Sequence, residues 1–267
     1  MHEPIVKAGI LRIDGGRRTR ARDALAVEEP CEIRLGGEAV AVTMRTPGHD
    51  AELAAGFLFS EGIVVAGDIA AIAHCPDPDA LHPENVVEVR LAPDRQPRRD
   101  WRRHFFATSS CGICGKASID AIDVGAPPVG DGPRLTAAAL AAMMRQLQAR
   151  QEVFAATGGL HAAAIFTAGG DLVALREDVG RHNAVDKALG YALLNDRMPL
   201  DRHALLVSGR TSFEILQKAR VAGIPIVAGV SAASSLAVEC AARGNMTLVG
   251  FLRGANMNVY AGFERII

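Results

Sequence analysis

Read for the spacing of its apolar positions, the chain falls into two stretches. Over 31–35 and 38–44 apolar and polar residues alternate, and Gly36-Gly37 between them predicts two strands joined by a two-residue hairpin. Thr46-Pro47-Gly48 ends the second strand. Asp50 is placed to cap a helix, with Glu52 in its first turn, an apolar stripe of Leu53, Phe57 and Leu58, and Gly62 as its stop. Pro76, Pro78 and Pro83 make 74–85 irregular, and 86–91 reads as a further strand. The first 25 residues, polar and rich in arginine, are expected to form a loose arm or an edge strand.

The second stretch has longer apolar periods. Thr136 can cap a helix carrying Leu140, Met143, Met144 and Leu147 at i, i+3, i+4, i+7, where the methionines are core. Strands follow over 161–167 and 172–175, joined through Gly169-Gly170. Helices over 183–194, 212–222 and 232–243 then alternate with strands over 204–208, 224–228 and 246–252. Such alternation predicts parallel strands with crossover helices, a layered α/β sandwich. The division expected is a small α+β domain with an arginine-rich linker at 1–105 and an α/β domain at 106–267.

Composition changes this picture in a few places. The formal net charge of -1 and the aromatic content of 4% argue against a nucleic-acid binder. Five cysteines, three of them scattered (Cys31, Cys75 and Cys240), are no secreted disulfide framework and point to a reducing, cytoplasmic compartment. Met1-His2-Glu3-Pro4 lacks the pattern of a signal peptide. The uncharged run 221–238 approaches membrane-spanning length, but Gly223, Pro225 and Gly229 break it, so it reads as buried core. Arg95, Arg98, Arg99, Arg102 and Arg103 around Trp101 read as a solvated linker.

The chemistry is placed at Ser109-Ser110-Cys111-Gly112-Ile113-Cys114-Gly115-Lys116. Two thiols at this spacing can hold a metal, cycle as a disulfide or carry a group on sulfur. The glycines make a mobile or tightly turned loop. Lys116 and a helix starting after it favour thiolate over thiol, which makes Cys111 the candidate reactive sulfur. Zinc ligation and an inert turn remain alternatives at this point. Three strand ends run into small polar turns suited to phosphate: Ser208-Gly209-Arg210-Thr211-Ser212; Gly229-Val230-Ser231 with Ser234 and Ser235; and Arg253-Gly254-Ala255-Asn256. In Glu177-Asp178-Val179-Gly180-Arg181-His182-Asn183, His182 could donate a proton while Asp178 and Arg181 form a structural pair. His82-Pro83-Glu84 with Cys111-x-x-Cys114 partly matches the zinc deaminase signature, but Ser110 stands where that signature has proline.

Taken together, these motifs resemble the FdhD/NarQ family of formate dehydrogenase accessory sulfurtransferases. The match runs through Arg45-Thr46-Pro47-Gly48-His49-Asp50, residues 110–115, Thr157-Gly158-Gly159-x-His161, 177–187, 208–212 and 249–266 with Asn258-Val259-Tyr260. The resemblance implies a cytidine-deaminase-like α/β/α sandwich without zinc chemistry, in a cytoplasmic homodimer that binds neither nucleic acid nor membrane. It implies a persulfide on Cys111, loaded by a cysteine desulfurase and passed to the molybdenum cofactor, bis(molybdopterin guanine dinucleotide), that formate dehydrogenase needs. Phe251, Leu252, Arg253, Gly254, Ala255 and Asn256 match the family's cofactor-binding stretch, so GDP or GTP would act as mimics. A zinc hydrolase of the deaminase kind and a non-catalytic cofactor chaperone are the competing classes.

Overall fold

The computed structural model describes residues 3–75, 82–99 and 124–267. Cys111, Cys114, Lys116 and the helix expected after it, Trp101, Arg102, Arg103, Pro76 and Pro78 lie outside the described residues.

Of the two expectations for the residues before position 27, a loose arm or an edge strand, the structure shows strand. These residues form a hairpin of β1 (Ile5–Asp14) and β2 (Arg17–Ala26), paired in register from Ile5↔Ala26 to Asp14↔Arg17. Next come β3 (Glu29–Leu35) and β4 (Glu38–Arg45), turned by Gly36 and Gly37 at φ 59° and 85°, the left-handed pair that a two-residue hairpin requires. Cys31, Ile33 and Leu35 alternate inward as period two demands. Helix α1 (Asp50–Ser60) follows, then β5 (Ile69–His74), which apolar spacing had not distinguished from irregular chain, and β6 (Val86–Leu91). These strands form a four-stranded sheet in the order β4-β3-β6-β5.

The second sheet has six strands in the order β12-β11-β10-β9-β7-β8. Thr136 caps α2 (Ala137–Ala149) as expected, its hydroxyl accepting from the Ala139 N–H at 3.0 Å. A short helix α3 (Glu152–Thr157) precedes β7 (His161–Thr167) and β8 (Leu172–Asp178). Then α4 (Arg181–Leu194), β9 (His203–Val207), α5 (Phe213–Val221), β10 (Ile226–Gly229), α6 (Ser235–Arg243) and β11 (Thr247–Arg253) alternate. Strands β9, β10 and β11 are parallel, as alternation predicts; β7, β8 and the closing β12 (Asn256–Ala261) add antiparallel edges. The fold class is α/β. The run 221–238 is a turn, a buried strand and the start of α6, and no helix among the described residues is long and apolar enough to cross a membrane.

The sheet faces are covered differently. Leu140, Met143, Met144 and Leu147 of α2 pack on Ala164, Phe166, Leu206 and Ile226. On the other face α4, α5 and α6 cover Ile165, Leu205, Val227 and Leu248, and the same core runs on through α1 to Ile33 and Val87 of the smaller sheet. Helices α1 and α4 meet where glycine is obligatory. A Cβ on Gly56 would stand 1.8 Å from the Asp186 carbonyl oxygen, and one on Gly190 would stand 1.8 Å from that of Glu52. This close crossing fixes the segment before α1 against the segment before α4.

Candidate functional site at the carboxyl edge of the large sheet

The motif stretches converge because the strands that end in them run the same way. Strands β8, β9, β10 and β11 end at one edge, and antiparallel β7 begins there. The turns are cross-linked through the backbone. Thr211 N–H donates to Ala232 O at 3.1 Å, Ser234 N–H to Thr211 O at 3.1 Å and Phe251 N–H to Ser231 O at 3.0 Å. Gly229 is needed beneath them, since a Cβ there would lie 2.8 Å from Thr211 Cγ2. Thr211 is fully buried, and its hydroxyl oxygen has no hydrogen-bond partner among the described residues.

Arg45-Thr46-Pro47-Gly48-His49-Asp50 joins this edge through Asp178. The Asp178 carboxylate is fully buried and accepts from Lys187 Nζ at 2.7 Å, Thr46 N–H at 3.1 Å, Gly180 N–H at 2.8 Å and Asn183 Nδ2 at 3.0 Å. Lys187 also donates to Thr46 O at 2.8 Å. The expected pair of Asp178 with Arg181 is therefore corrected to Asp178 with Lys187, because a lysine two turns into α4 reaches inward while Arg181 opens the helix. Asp50 is no side-chain cap either. His49 occupies the cap position with φ 59°, and Asp50 takes both ends of the Arg45 guanidinium at 3.0 Å. Arg45 is completed by Glu29 at 3.1 Å and Asn85 at 2.9 Å, an ion network in which every charge has a partner. Cys31 beside it is no reactive sulfur: burial first, then the Asp50 carboxylate, push its thiol up to about 12 against the pull of Arg45 and Lys187.

His182 is buried, with Nε2 2.5 Å from Glu214 Oε2 and 3.3 Å from the Ser212 hydroxyl at the start of α5. Deeper on α5, Lys218 donates to Ser60 Oγ at 2.8 Å and Asp186 Oδ2 at 2.9 Å, with Glu61 at 3.5 Å. Burial pushes the Asp186 carboxyl up while Lys218 and Ser60 act against it; Asp186 and Glu61 hold the Lys218 ammonium above its ordinary range despite burial. A proton resting on Lys218 satisfies both groups.

The chain on either side of the thiols is fastened at one place. Arg98 N–H donates to Ile63 O at 2.9 Å, and Val124 N–H donates to Gln217 Oε1 at 3.2 Å. Val124 also packs on Gly62, where a Cβ would meet its Cγ1 at 2.6 Å. Arg95 and Arg98 lie 3.7 and 3.8 Å from the buried Asp68 carboxylate, so the start of the arginine-rich stretch is held to the body rather than solvated throughout. His82, expected in a deaminase-like pattern, is exposed and stands before the 3₁₀ turn Pro83–Asn85, not on a helix.

The stretch Phe251 to Asn256 ends β11 and opens β12 through a tight hairpin. A bulge between Gly250 and Arg253 puts Phe251 at φ 51°, turning its ring outward while Leu252 stays in the core. Arg253 lies over the Phe251 ring at 5.8 Å and donates from Nε to Val230 O at 3.0 Å. Beside it opens a cleft of about 560 Å³ lined by Gln148, Gln151, Phe154, Gly158, Gly159, Leu160, His161, Ser208 and Val230. Sequence reasoning found its glycines, His161 and Ser208, but not Gln151 and Phe154. Nothing in the apolar spacing marks α3, which buries none of its own residues.

The fold and the site define an α/β protein whose open polar edge lies at the carboxyl ends of its parallel strands. Residues 26–267 match the model of the FdhD/NarQ family, and the chain belongs to that family. A Streptomyces coelicolor protein named sulfur carrier protein FdhD is 54% identical over 264 residues, covering 96% of this chain and 94% of its own length. A Mycobacterium tuberculosis protein of the same name is 51% identical, with 91% and 92% covered. The crystal structure of a formate dehydrogenase accessory protein from Desulfotalea psychrophila superposes with a TM-score of 0.79 at 26% identity, over 99% of this chain and all of the other.

Proposed function

We propose that this chain is a sulfur carrier that serves a formate dehydrogenase. The observation that carries the reading is its near full-length identity of 54% to a protein named as a sulfur carrier, with Cys111-x-x-Cys114 in the chain. In this reading the Cys111 thiolate attacks the outer sulfur of a persulfide on a cysteine desulfurase. The new S–S bond forms on Cys111, the old one breaks, and the donor cysteine leaves as thiolate. The sulfur then goes to the substrate, bis(molybdopterin guanine dinucleotide) bearing molybdenum. Residues that suit such a substrate are Arg253 and Phe251, a cation and an exposed ring side by side, and the turns at 208–212 and 229–235. A cytoplasmic homodimer with a deaminase-like layering in its second half belongs to the same proposal.

The test is mass spectrometry after incubation with a cysteine desulfurase and cysteine. The expected result is an adduct of about 32 Da, one sulfur atom, on wild type and on Cys114→Ser, and none on Cys111→Ser. Equal loss in both variants with release of stoichiometric zinc would move the protein to the zinc hydrolases. Full support of formate dehydrogenase by Cys111→Ser would make it a cofactor escort.

A further inference from the structure

Strands β1 and β2 stand apart from both larger sheets and pair only with each other, in a ribbon that ends where the span matched by the family model begins. Val27 N–H closes its base on Pro4 O at 2.9 Å, and β2 packs on α3, where a Cβ on Gly159 would lie 3.4 Å from that of Ala26. Beyond that base the ribbon leaves the body, and every residue from Leu11 to Arg20 is exposed. Two strands of ten residues, roughly 33 Å long, have no core of their own and are marginal in water. A partner lying on the ribbon would supply the burial it lacks.

The unbroken register sorts the side chains by face. Directly opposed residues share a face, so Lys7, Gly9, Leu11 and Ile13 of β1 stand with Ala24, Arg22, Arg20 and Arg18 of β2. This face has arginine at every second position of β2, beside Leu11 at 54% and Ile13 at 61% exposed. The two carboxylates of the ribbon, Asp14 and Asp23, are on the opposite face with Arg12 and Arg17. Among the described residues no hydrogen bond or ion pair occupies Arg18, Arg20 or Arg22. Charges that only guard a strand edge against aggregation need neither this sorting nor exposed aliphatic side chains beside them.

Spacing and residue type define what fits. Arg18 and Arg22 are separated by roughly 13 Å of strand, with Arg20 midway. An extended chain repeats its own side chains at the same interval, so carboxylates at alternate positions meet the row in step. Guanidinium takes a carboxylate through two parallel charge-assisted bonds, which a lysine row would not offer. The first 26 residues carry six cations and three carboxylates, a charge of +3 against -4 for the rest of the chain. A long phosphate polymer or an anionic bilayer covering the ribbon would run on against that negative body, and no aromatic residue stands on the ribbon for a base to stack on. We propose that this face of the ribbon docks an acidic, extended segment of a partner protein, with Arg18, Arg20 and Arg22 pairing its carboxylates and Leu11 and Ile13 making the apolar contact. The inference stands independently of the persulfide chemistry.

The experiment follows the fluorescence anisotropy of a labelled peptide of alternating glutamate and valine as the whole protein is added. The comparison probes are the same peptide with glutamine for glutamate, a single-stranded oligodeoxynucleotide, and vesicles of mixed phosphatidylserine and phosphatidylcholine. The acidic peptide is expected to bind, to be preferred over all three, and to weaken as salt is raised. Arg20→Glu should weaken it about tenfold, as the loss of one charge-assisted pair implies. Arg17→Glu makes the same charge change on the other face of the same strand. It should weaken binding less than about twofold at an ionic strength of about 0.15 M, where charges are screened over about 8 Å. Because both variants load the ribbon equally, loss in Arg20→Glu alone is not unfolding. Ile13→Ser should weaken binding about threefold or more. No binding of the acidic peptide, equal binding of the glutamine peptide, unchanged affinity in Arg20→Glu, or equal loss in Arg17→Glu would overturn the assignment. Tighter binding of the oligonucleotide or the vesicles would overturn it in favour of a nucleic acid or a membrane surface.

Discussion

Replacing Gly190 by alanine isolates the α1–α4 crossing. In an exposed helix the change would stabilise by about 1 kcal/mol, because alanine has the higher helix propensity. Here the new Cβ would stand 1.8 Å from Glu52 O, 2.6 Å from its carbonyl carbon and 2.9 Å from its Cα. All three atoms are backbone, so no rotamer can relieve them. Reaching an ordinary contact of about 3.4 Å requires the helices to part by roughly 1.6 Å. That opening spreads over Leu53, Ala54, Leu189 and Ala188, all fully buried, and Gly56 faces the same problem against Asp186. Overpacking of this kind costs about 1–3 kcal/mol, and the rigid partner places this site at the upper end. For a chain of this size the expected fall in Tm is about 6–12 °C, read by circular dichroism at fixed protein concentration. An unchanged or raised Tm would show that the helices are not in backbone contact.

Lys218→Met should destabilise by about 3–5 kcal/mol, since it strands the Asp186 carboxylate in the core. The stranded carboxyl, its pKa raised, binds more protons folded than unfolded, so the loss should be greater at pH 8 than at pH 5.5; equal losses in urea titrations at the two pH values would refute this. His161 supplies an acid-side signature. Its folded pKa lies below the usual 6.5, so the folded state binds fewer protons than the unfolded one between those values. Stability should therefore hold from pH 8 to about 6.5 and fall below it, and His161→Gln should flatten that part of the profile. An unaltered acid limb in the variant would exclude the imidazole as the group responsible.

Apolar spacing alone determined that this is an α/β chain with a long capped helix at α2, a glycine-turned β3–β4 hairpin and parallel strands β9, β10 and β11. Those features depend on neighbours in sequence: a period, a cap, a turn residue with positive φ. Several motif residues were also legible, because glycine, serine and arginine at a strand end carry their meaning locally. Only the tertiary structure decided the partners. Asp178 could be assigned to Lys187 rather than Arg181 once folding brought Thr46, more than a hundred positions away, against both of them, and Asp50 to Arg45 rather than to a helix cap once the strand end turned back on the helix start. The β1–β2 hairpin, β5, α3 and β12 were hidden for a related reason: exposed or edge elements need no strict apolar period. The cleft at Gln151 was invisible in sequence. A glutamine after a helix is ordinary there, and only folding brings it to the wall of a cleft with Gly158, His161 and Ser208.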